Sequence, residues 1–217
     1  LALTKSKMRI RPCNILLLLL LTTATAFSQD KTDDTKWTAR LDFMVPQPLS
    51  NKAFKLSFTG IFDAGASLNY RIGSMFNLGL AYRYKQFQVR ANKIPDVDML
   101  QHTHNALLRL SLDKKNGKNG VWTPAINVGY NYIIYSGAPC VLGEATGEEV
   151  TGVNIEPNIS YVWMIDEGFG MGLMLNYNIL THTFDPDAVC LNEHKSYTDG
   201  EKIGLSSSFS FGFSVFI

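Results

Sequence analysis

The sequence predicts an all-β protein, an eight-stranded antiparallel up-and-down transmembrane β-barrel over residues 37–217. Eight stretches alternate between apolar and polar residues with the period of two that is typical of strands. The connections between them alternate between short and long, as in barrels that cross a membrane. In residues 203–217 one face is apolar and aromatic and the other carries Ser and Gly. Those faces suit surrounding lipid and a crowded barrel interior, respectively.

The predicted strands, in chain order, cover residues 37–45, 56–72, 76–89, 103–113, 121–135, 151–165, 169–184 and 203–217. Pro46 and Pro48 are expected to end the first strand, because proline cannot donate a hydrogen bond to a ladder. The apolar face of the second strand includes Phe58 and Phe62. Pro157 lies within the sixth strand and predicts a bulge there. The chain length of 217 residues suits one such domain.

Aromatic residues are expected to form two girdles, one at each membrane surface. Short connections follow strands two, four and six, and these are the expected periplasmic turns. One girdle falls at strand ends on that side: Trp37, Trp122 and Trp163. The other lies toward the rim with the longer loops: Tyr82, Tyr84, Tyr130 and Tyr132. Two girdles at opposite strand ends favour a membrane barrel over a soluble sandwich.

The amino-terminal residues 1–28 are predicted to be a signal peptide, with residues 1–7 as an extension upstream of Met8. A basic region precedes the apolar residues 15–21, which are too few to cross a membrane as a helix. Ala26-Phe27-Ser28 fits a small-x-small cleavage site. Residues 29–36 then form a short periplasmic segment ahead of the barrel at 37–217.

Charge and cysteine content narrow the classes of function. Residues 1–28 carry four basic and no acidic residues, so 16 basic residues face 19 acidic ones in the rest of the chain. This balance speaks against nucleic-acid binding. Cys140 and Cys190 lie in the loops after strands five and seven, in an exported and therefore oxidising context. They are expected either to form a disulfide that joins two loops or to remain two separate thiols.

Charged residues occur on the strand faces that should point into the barrel. An eight-stranded barrel is filled by side chains, and buried charges must pair because an isolated one is too costly. The main interpretation is a structural network of salt bridges, and the alternative is a narrow gated path for ions. The predicted set is Arg40, Asp42, Asp63, Arg83, Lys85, Arg109 and Glu156.

The last strand resembles the C-terminal targeting strand of Gram-negative outer-membrane barrels. Its alternating apolar residues are Phe209, Phe211, Phe213, Val215 and Ile217, although the family most often ends in Phe. In architecture and hydropathy, residues 37–217 resemble the small eight-stranded barrels of the OmpA-transmembrane-domain, OmpX and OmpW type. The resemblance implies a location in the outer membrane of a Gram-negative bacterium, contact with outer-membrane lipid, and recognition of the last strand by the barrel-assembly machinery.

Histidines supply the two candidate chemical sites. The segment from His102 to Asn105 faintly resembles the His-x-Ser-Asn motif of lipid A deacylases, but His104 stands where that motif has its nucleophilic Ser. Thr103 points to the opposite face by strand parity, and we expect no Ser beside either histidine. In the last loop, His182 and His194 lie near acidic residues, and a metal site would need at least three of these groups to converge. We therefore expect no catalytic site, no metal and no cofactor.

The expected function is non-enzymatic: a structural or surface-interaction role in the outer membrane, with an envelope protein as a partner if the chain is a small subunit of a larger complex. Two alternatives remain open at this point. One is a lipid-modifying enzyme of the deacylase kind, which needs a nucleophile beside its base at the rim. The other is a narrow conduit for ions or small molecules, which needs a continuous wet interior.

Overall fold

The computed structural model describes residues 36–95, 97–137, 149–166 and 168–217. The predicted signal peptide and residues 29–35 lie outside these described residues. The strands are β1 (Trp37–Ser50), β2 (Phe58–Ile72), β3 (Phe76–Val89), β4 (Leu100–Leu112), β5 (Lys114–Asn116), β6 (Gly120–Ser136), β7 (Glu149–Asp166), β8 (Phe169–Leu180) and β9 (Ser207–Phe216).

Eight of these strands close an antiparallel ring. Each pairs with the next along the chain, with β4 pairing directly with β6, and β9 returns to pair with β1. The three-residue β5 only extends the turn between β4 and β6. The predicted eight-stranded up-and-down barrel is therefore confirmed. We call the end where β1 begins and β9 stops the inner end, and the opposite end the outer end.

Two short helices and one turn of 3-10 helix lie at the outer end. They are α1 (Lys52–Ser57), α2 (Asp199–Lys202) and the 3-10 turn Leu191–Glu193. The Asn51 side chain caps α1 by accepting a hydrogen bond from the Phe54 backbone N–H. The prediction that residue 56 starts a strand was wrong, because this cap starts a helix at residue 52. None of the described helices is long and apolar enough to span a membrane.

The first strand does not stop at Pro46 as predicted. It continues to Ser50, and beyond Met44 it pairs only with β9. Proline is tolerated there because one side of the strand no longer takes part in a ladder. The last two strands are shorter than predicted: β8 ends at Leu180, and β9 begins at Ser207.

A bulge in β2 reverses the predicted direction of Phe58. The register of β2 with β3 shifts between Gly60 and Phe62. Gly60 lies against the Pro46 carbonyl, and any side chain at position 60 would collide with it. Phe58 is therefore fully buried inside, whereas Phe62 is 39% exposed on the outside. The bulge predicted at Pro157 was wrong, since the register of β7 with β8 is the same on both sides of that residue.

An apolar belt surrounds the barrel. Side chains on the outward strand face are large and exposed, with Leu80 at 65% and Leu108 at 63%. The inward face of the same strands carries buried Asn, Ser, Thr and charged residues. A closed barrel with an apolar exterior and a polar interior is suited to cross a membrane, since ring closure pairs each strand with two neighbours and leaves no open sheet edge in the lipid.

Candidate functional site: the barrel interior, outer cap and rim

All seven of the interior charged residues named from the sequence lie inside the barrel, and none is more than 2% exposed. They come from β1, β2, β3, β4 and β7, so the ring closure brings together residues far apart in the sequence. Four are cationic and three are anionic. The charged layer occupies the middle of the barrel and is the first part of the candidate site.

Arg83 is the centre of this layer and contacts three carboxylates. Its Nε lies 2.7 Å from Glu156 Oε1, its Nη1 3.1 Å from Asp63 Oδ1, and its Nη2 3.0 Å from Asp42 Oδ2. A planar guanidinium can satisfy three acceptors at once, which a lysine ammonium at this position could not do with the same geometry. Arg83 therefore links β1, β2 and β7 across the interior.

Lys85 and Arg40 extend the network in opposite directions. The Lys85 ammonium lies 3.3 Å from Glu156 Oε2 and donates to Asn178 Oδ1 at 2.5 Å. Arg40 Nε lies 3.1 Å from Asp42 Oδ1 and donates to Ser214 Oγ at 2.6 Å. Because Ser214 belongs to β9, this last contact ties the charged layer across the closure of the barrel.

Among the described residues, Arg109 is the one interior cation that contacts no carboxylate. Its Nη1 donates to Asn127 Oδ1 and to Asn158 Oδ1, both at 3.2 Å. In the described part of the chain, Arg109 takes part in no ion pair within 4.0 Å. Two of its nitrogens, Nε and Nη2, are buried and have no hydrogen-bond partner among residues 36–95, 97–137, 149–166 and 168–217.

Above the charged layer, an apolar cluster fills the outer end of the barrel. We call this cluster, together with α1, α2 and the loop residues 181–206, the cap. Phe54 of α1 packs on Phe58, Phe87 and Phe184, with ring centroids 5.2–5.8 Å apart. The cluster includes Ile94, Val97, Met99, Ile133, Tyr135, Leu180, Val189 and Leu191. The outer mouth is therefore filled by hydrophobic side chains rather than by an open channel.

Two histidines on the outward face lie at the outer rim, each against a tyrosine. Nδ1 of His102 is 2.7 Å from the Tyr84 hydroxyl, and Nδ1 of His104 is 2.7 Å from the Tyr82 hydroxyl. The other ring nitrogen of His102 is 3.1 Å from Ser136 Oγ. The sequence-based expectation that no Ser neighbours these histidines was therefore wrong, because the β4–β6 register brings Ser136 of β6 beside His102.

The structure matches known barrels, whereas no family model and no curated protein matches the sequence. It is similar to the crystal structure of Neisserial surface protein A, with a TM-score of 0.55 and 13% identity over 84% of this chain and 97% of that one. It also aligns with the N-terminal β-barrel domain of Pseudomonas aeruginosa OprF, with a TM-score of 0.43 and 9% identity over 84% and 98% of the two chains. For Ail of Yersinia pestis the TM-score is 0.44, with 6% identity over 84% and 100%.

At 13% identity, the likeness to Neisserial surface protein A shows the fold. The chain has the fold of the small eight-stranded outer-membrane β-barrels. Its polar interior, apolar belt and closed ring are the physical features expected of a β-barrel that spans a membrane.

The aromatic residues lie near the two ends of the apolar belt. At the inner end, Trp37 packs on Tyr70 with centroids 4.9 Å apart, and Tyr161 lies between Trp122 and Trp163 at 4.7 and 4.6 Å. The four tyrosines of the other group lie on the outer half of β3 and β6. They are Tyr82, Tyr84, Tyr130 and Tyr132, of which Tyr82 and Tyr130 are half exposed.

The last strand of the barrel alternates as its sequence indicates. Phe211 and Phe213 are exposed on the outside, while Ser210 and Ser214 are buried inside. Ile217 lies just after the strand and exchanges two backbone hydrogen bonds with Ala39 of β1, at 2.7 and 2.9 Å. These bonds belong to the β1–β9 seam that closes the barrel. Phe209 and Val215 also pair with β1 in this seam, and on the other side they pair with β8.

The remaining histidine and cysteine residues lie in or near the cap. His182 is half-buried, and desolvation lowers its pKa to about 4, whereas His194 is exposed. No three His, Cys, Asp or Glu side chains come together as a metal site in the described ranges. Cys190 is disulfide-bonded. Cys140 lies outside the described residues, so the Cys140–Cys190 pairing stays a prediction.

Proposed function

We propose that this outer-membrane barrel is a closed, non-enzymatic scaffold that holds a rigid cap outside the cell as a surface for contact with other molecules. One observation carries the proposal: the outer mouth is filled by the apolar cluster, and the charged layer fills the barrel beneath it. A conduit needs a continuous wet path, and these two layers supply hydrophobic packing and tight ion pairs instead.

The cap is built to keep one shape. The Asn51 amide donates to the backbone carbonyls of Phe184, Lys202 and Gly204 at 3.1–3.3 Å, which joins the loop before α1 to the last loop. Lys52 lies 3.0 Å from Glu201, and this carboxylate also accepts from the Thr198 backbone as part of a capping box. A loop region with its own core and cross-links presents a fixed surface, which lowers the entropic cost of binding a partner.

The partners that suit this scaffold follow from its surfaces. Outer-membrane lipid contacts the apolar belt and the two aromatic groups. The barrel-assembly machinery would engage the last strand, where Phe211 and Phe213 face outward beside the closing seam. An envelope protein is the partner expected at the cap, because α1, α2 and the loop residues 181–206 lie at the outer end on a packed core of their own.

Conductance measurement tests the closed-barrel part of the proposal. The refolded protein, inserted into planar lipid bilayers, is expected to show no steady ion conductance above that of the bilayer. The matched variant Glu156→Gln weakens the charged layer but leaves the cap intact, and it should stay silent too. Steady channels in the natural protein, with a conductance that Glu156→Gln changes, would show an ion path through the charged layer and contradict the proposal.

Crosslinking in living cells tests the contact surface. A photoreactive residue in place of the cap residue Lys195 should give defined protein adducts in the outer membrane. The same residue in place of Lys118, in the turn after β5 at the inner end, is the matched control. Adducts from position 118 but not from position 195 would show that the contact surface lies at the inner end and would contradict the proposal.

A second candidate function is acyl-ester hydrolysis in the outer leaflet, and the Ser136–His102–Tyr84 contacts favour it. Ser136 Oγ and His102 Nε2 are within reach for proton transfer. However, the group that orients His102 is a neutral phenol rather than a carboxylate, and Ser136 Oγ also faces the Leu100 carbonyl at 3.5 Å. A phenol stabilises an imidazolium less than a carboxylate does, so we rank the scaffold first.

Mass spectrometry of lipid A and phospholipids distinguishes the two functions. The scaffold predicts identical acylation in the natural strain, a deletion strain and a strain with Ser136→Ala. Hydrolysis predicts an extra acyl chain in the deletion strain, copied by Ser136→Ala and by His102→Gln. The control His104→Gln changes the neighbouring histidine, which contacts Tyr82 and, within the described part of the chain, no Ser. It should leave the pattern unchanged in both cases.

A further inference from the structure

A polar groove opens on the outward face of the barrel at its outer end. It lies where the start of β2 meets the end of β3, and it continues along the residues that follow β3. Its volume is about 450 Å³, within the range of roughly 300–1,000 Å³ that is usual for sites that bind small molecules. The residues that line it are Thr59, Gln88, Val89, Arg90, Ala91 and Asn92. The groove therefore has room for the headgroup of a lipid.

The groove is lined by one cation and three neutral polar side chains, and by no carboxylate. Thr59 and Gln88 are cross-strand partners that face outward, because the adjacent pair, Phe58 and Val89, is buried inside. The Gln88 amide donates to Asp98 Oδ1 at 3.3 Å, so the nearest carboxylate already has a donor. The side-chain oxygen of Gln88 and the Thr59 hydroxyl remain available to hydroxyl groups of a ligand.

Arg90 is the cation of the groove, and two hydrogen bonds hold it in place. Its backbone N–H donates to the Ser57 carbonyl and its Nε to the Phe58 carbonyl, both at 2.8 Å. Among the described residues, its guanidinium takes part in no ion pair within 4.0 Å. Two exposed lysines, Lys55 and Lys93, lie within three residues of these groups. A fixed guanidinium whose terminal nitrogens carry no carboxylate is suited to bind a phosphate group.

The groove lies directly beyond the apolar belt. Ile61 and Phe62, the next exposed residues of β2, are apolar. Tyr84 of the outer aromatic group precedes Gln88 by four positions on β3. Aromatic residues of this kind lie at the level of the lipid headgroups. A lipid whose acyl chains contact Ile61 and Phe62 would therefore bring its headgroup to the groove.

The polar lining is a local feature of this side of the outer end. Where β9 meets β1, three exposed side chains are apolar, namely Leu49, Ile203 and Leu205. The Leu205 carbonyl accepts a hydrogen bond from the Ser50 hydroxyl at 2.6 Å, which holds this segment against the end of β1. The outer end thus has an apolar side and a polar side, and the groove belongs to the polar side.

We propose that this groove binds the phosphorylated sugar headgroup of a lipid in the outer leaflet, with one phosphate group on the Arg90 guanidinium. The phosphate supplies the negative charge that Arg90 lacks. The sugar hydroxyls match the side-chain oxygen of Gln88 and the Thr59 hydroxyl, and the acyl chains extend along Ile61 and Phe62. This site is separate from the contact surface proposed for the cap, so either proposal can fail without the other.

Urea unfolding of the refolded protein in phosphatidylcholine vesicles tests the site, with lipid A as the probe. The unfolding midpoint should rise with the lipid A content of the vesicles and then level off, because a lipid that binds only the folded barrel stabilises it. The same content of lipid A without its phosphate groups should give a lower midpoint. Vesicles that contain phosphatidylglycerol at equal surface charge control for general attraction to an anionic surface and should also give a lower midpoint.

Variants connect that effect to the groove. Arg90→Gln should abolish the difference between lipid A with and without its phosphate groups. Arg71→Gln, which removes an exposed arginine at the inner end of β2, is the matched control and should retain it. If Arg90→Gln does not fold, Thr59→Val should reduce the difference, because it removes a hydroxyl from the groove.

Three results would overturn the proposal. Equal midpoints for the natural protein with phosphorylated and dephosphorylated lipid A would show that no phosphate group is bound. An equal rise with phosphatidylglycerol would show attraction between charges without a specific site. An equal rise with inorganic phosphate in vesicles that lack lipid A would show that the ligand is the free ion and not a lipid.

Discussion

Replacing Glu156 with Gln tests the charged layer most sharply. The change keeps the size of the side chain but removes a carboxylate that lies 2.7 Å from Arg83 and 3.3 Å from Lys85. Arg83 keeps its ion pairs with Asp63 and Asp42. Lys85 keeps its hydrogen bond to Asn178 and lies 4.0 Å from the Asp63 carboxylate. Removing one partner of a buried pair typically costs about 3–5 kcal/mol. We expect a loss of that size in the free energy of unfolding.

The assay is urea unfolding of the refolded barrel in lipid vesicles, followed by tryptophan fluorescence. Glu149→Gln changes an exposed carboxylate of the same strand and should shift the free energy of unfolding by no more than about 0.5 kcal/mol. A double variant that adds Lys85→Met should lose less than the sum of the single losses, by about 0.5–3 kcal/mol, because the two residues interact. Equal midpoints for Glu156→Gln and Glu149→Gln would refute the reasoning and show that position 156 is hydrated.

Three further predictions concern the cap. A Cys140–Cys190 disulfide should leave no thiol that reacts in the unfolded, unreduced mature chain, and two reactive thiols would exclude it. Burial lowers the pKa of His182 in the folded state to about 4, so His182 is protonated more readily in the unfolded state. The free energy of unfolding of the cap should therefore be highest above pH 6.5 and fall toward pH 4. Hydrogen exchange of the cap amides should show that the free energy of unfolding of the cap falls by about 2 kcal/mol between pH 7 and pH 5. This loss should be absent in His182→Asn. It should be retained in the control His194→Asn, which changes an exposed histidine. Phe54→Ala should destabilise the cap by about 3–5 kcal/mol while the strand amides stay protected, and loss of protection throughout the barrel would show that cap and barrel unfold together.

Strand parity was sufficient to predict much of the barrel from the sequence. Once the inward face of each strand is known, residues such as Arg83 and Glu156 are assigned to the interior without any tertiary information. What parity cannot supply is register. The contact between His102 and Ser136 depends on how β4 aligns with β6 across 34 positions of sequence, and neither strand alone encodes it.

Local conformation at the outer end was less predictable, for two physical reasons. Phe58 belongs to an alternating pattern, yet the bulge at Gly60 reverses its direction, and that bulge depends on the approach of Pro46 from the neighbouring strand. Leu56 also continues the pattern, but the Asn51 cap and the burial of Phe54 favour a helix there. In both cases tertiary packing overrides the period of two.

Electrophoresis of unboiled and boiled samples from isolated outer membranes tests the central claim most directly. A closed barrel resists detergent until it is heated, because its hydrogen-bonded ring has no free edge at which to open. We predict that the protein sediments with the outer membrane and that the unboiled form migrates differently from the boiled form. Recovery as a soluble periplasmic protein with the same mobility before and after boiling would contradict the account.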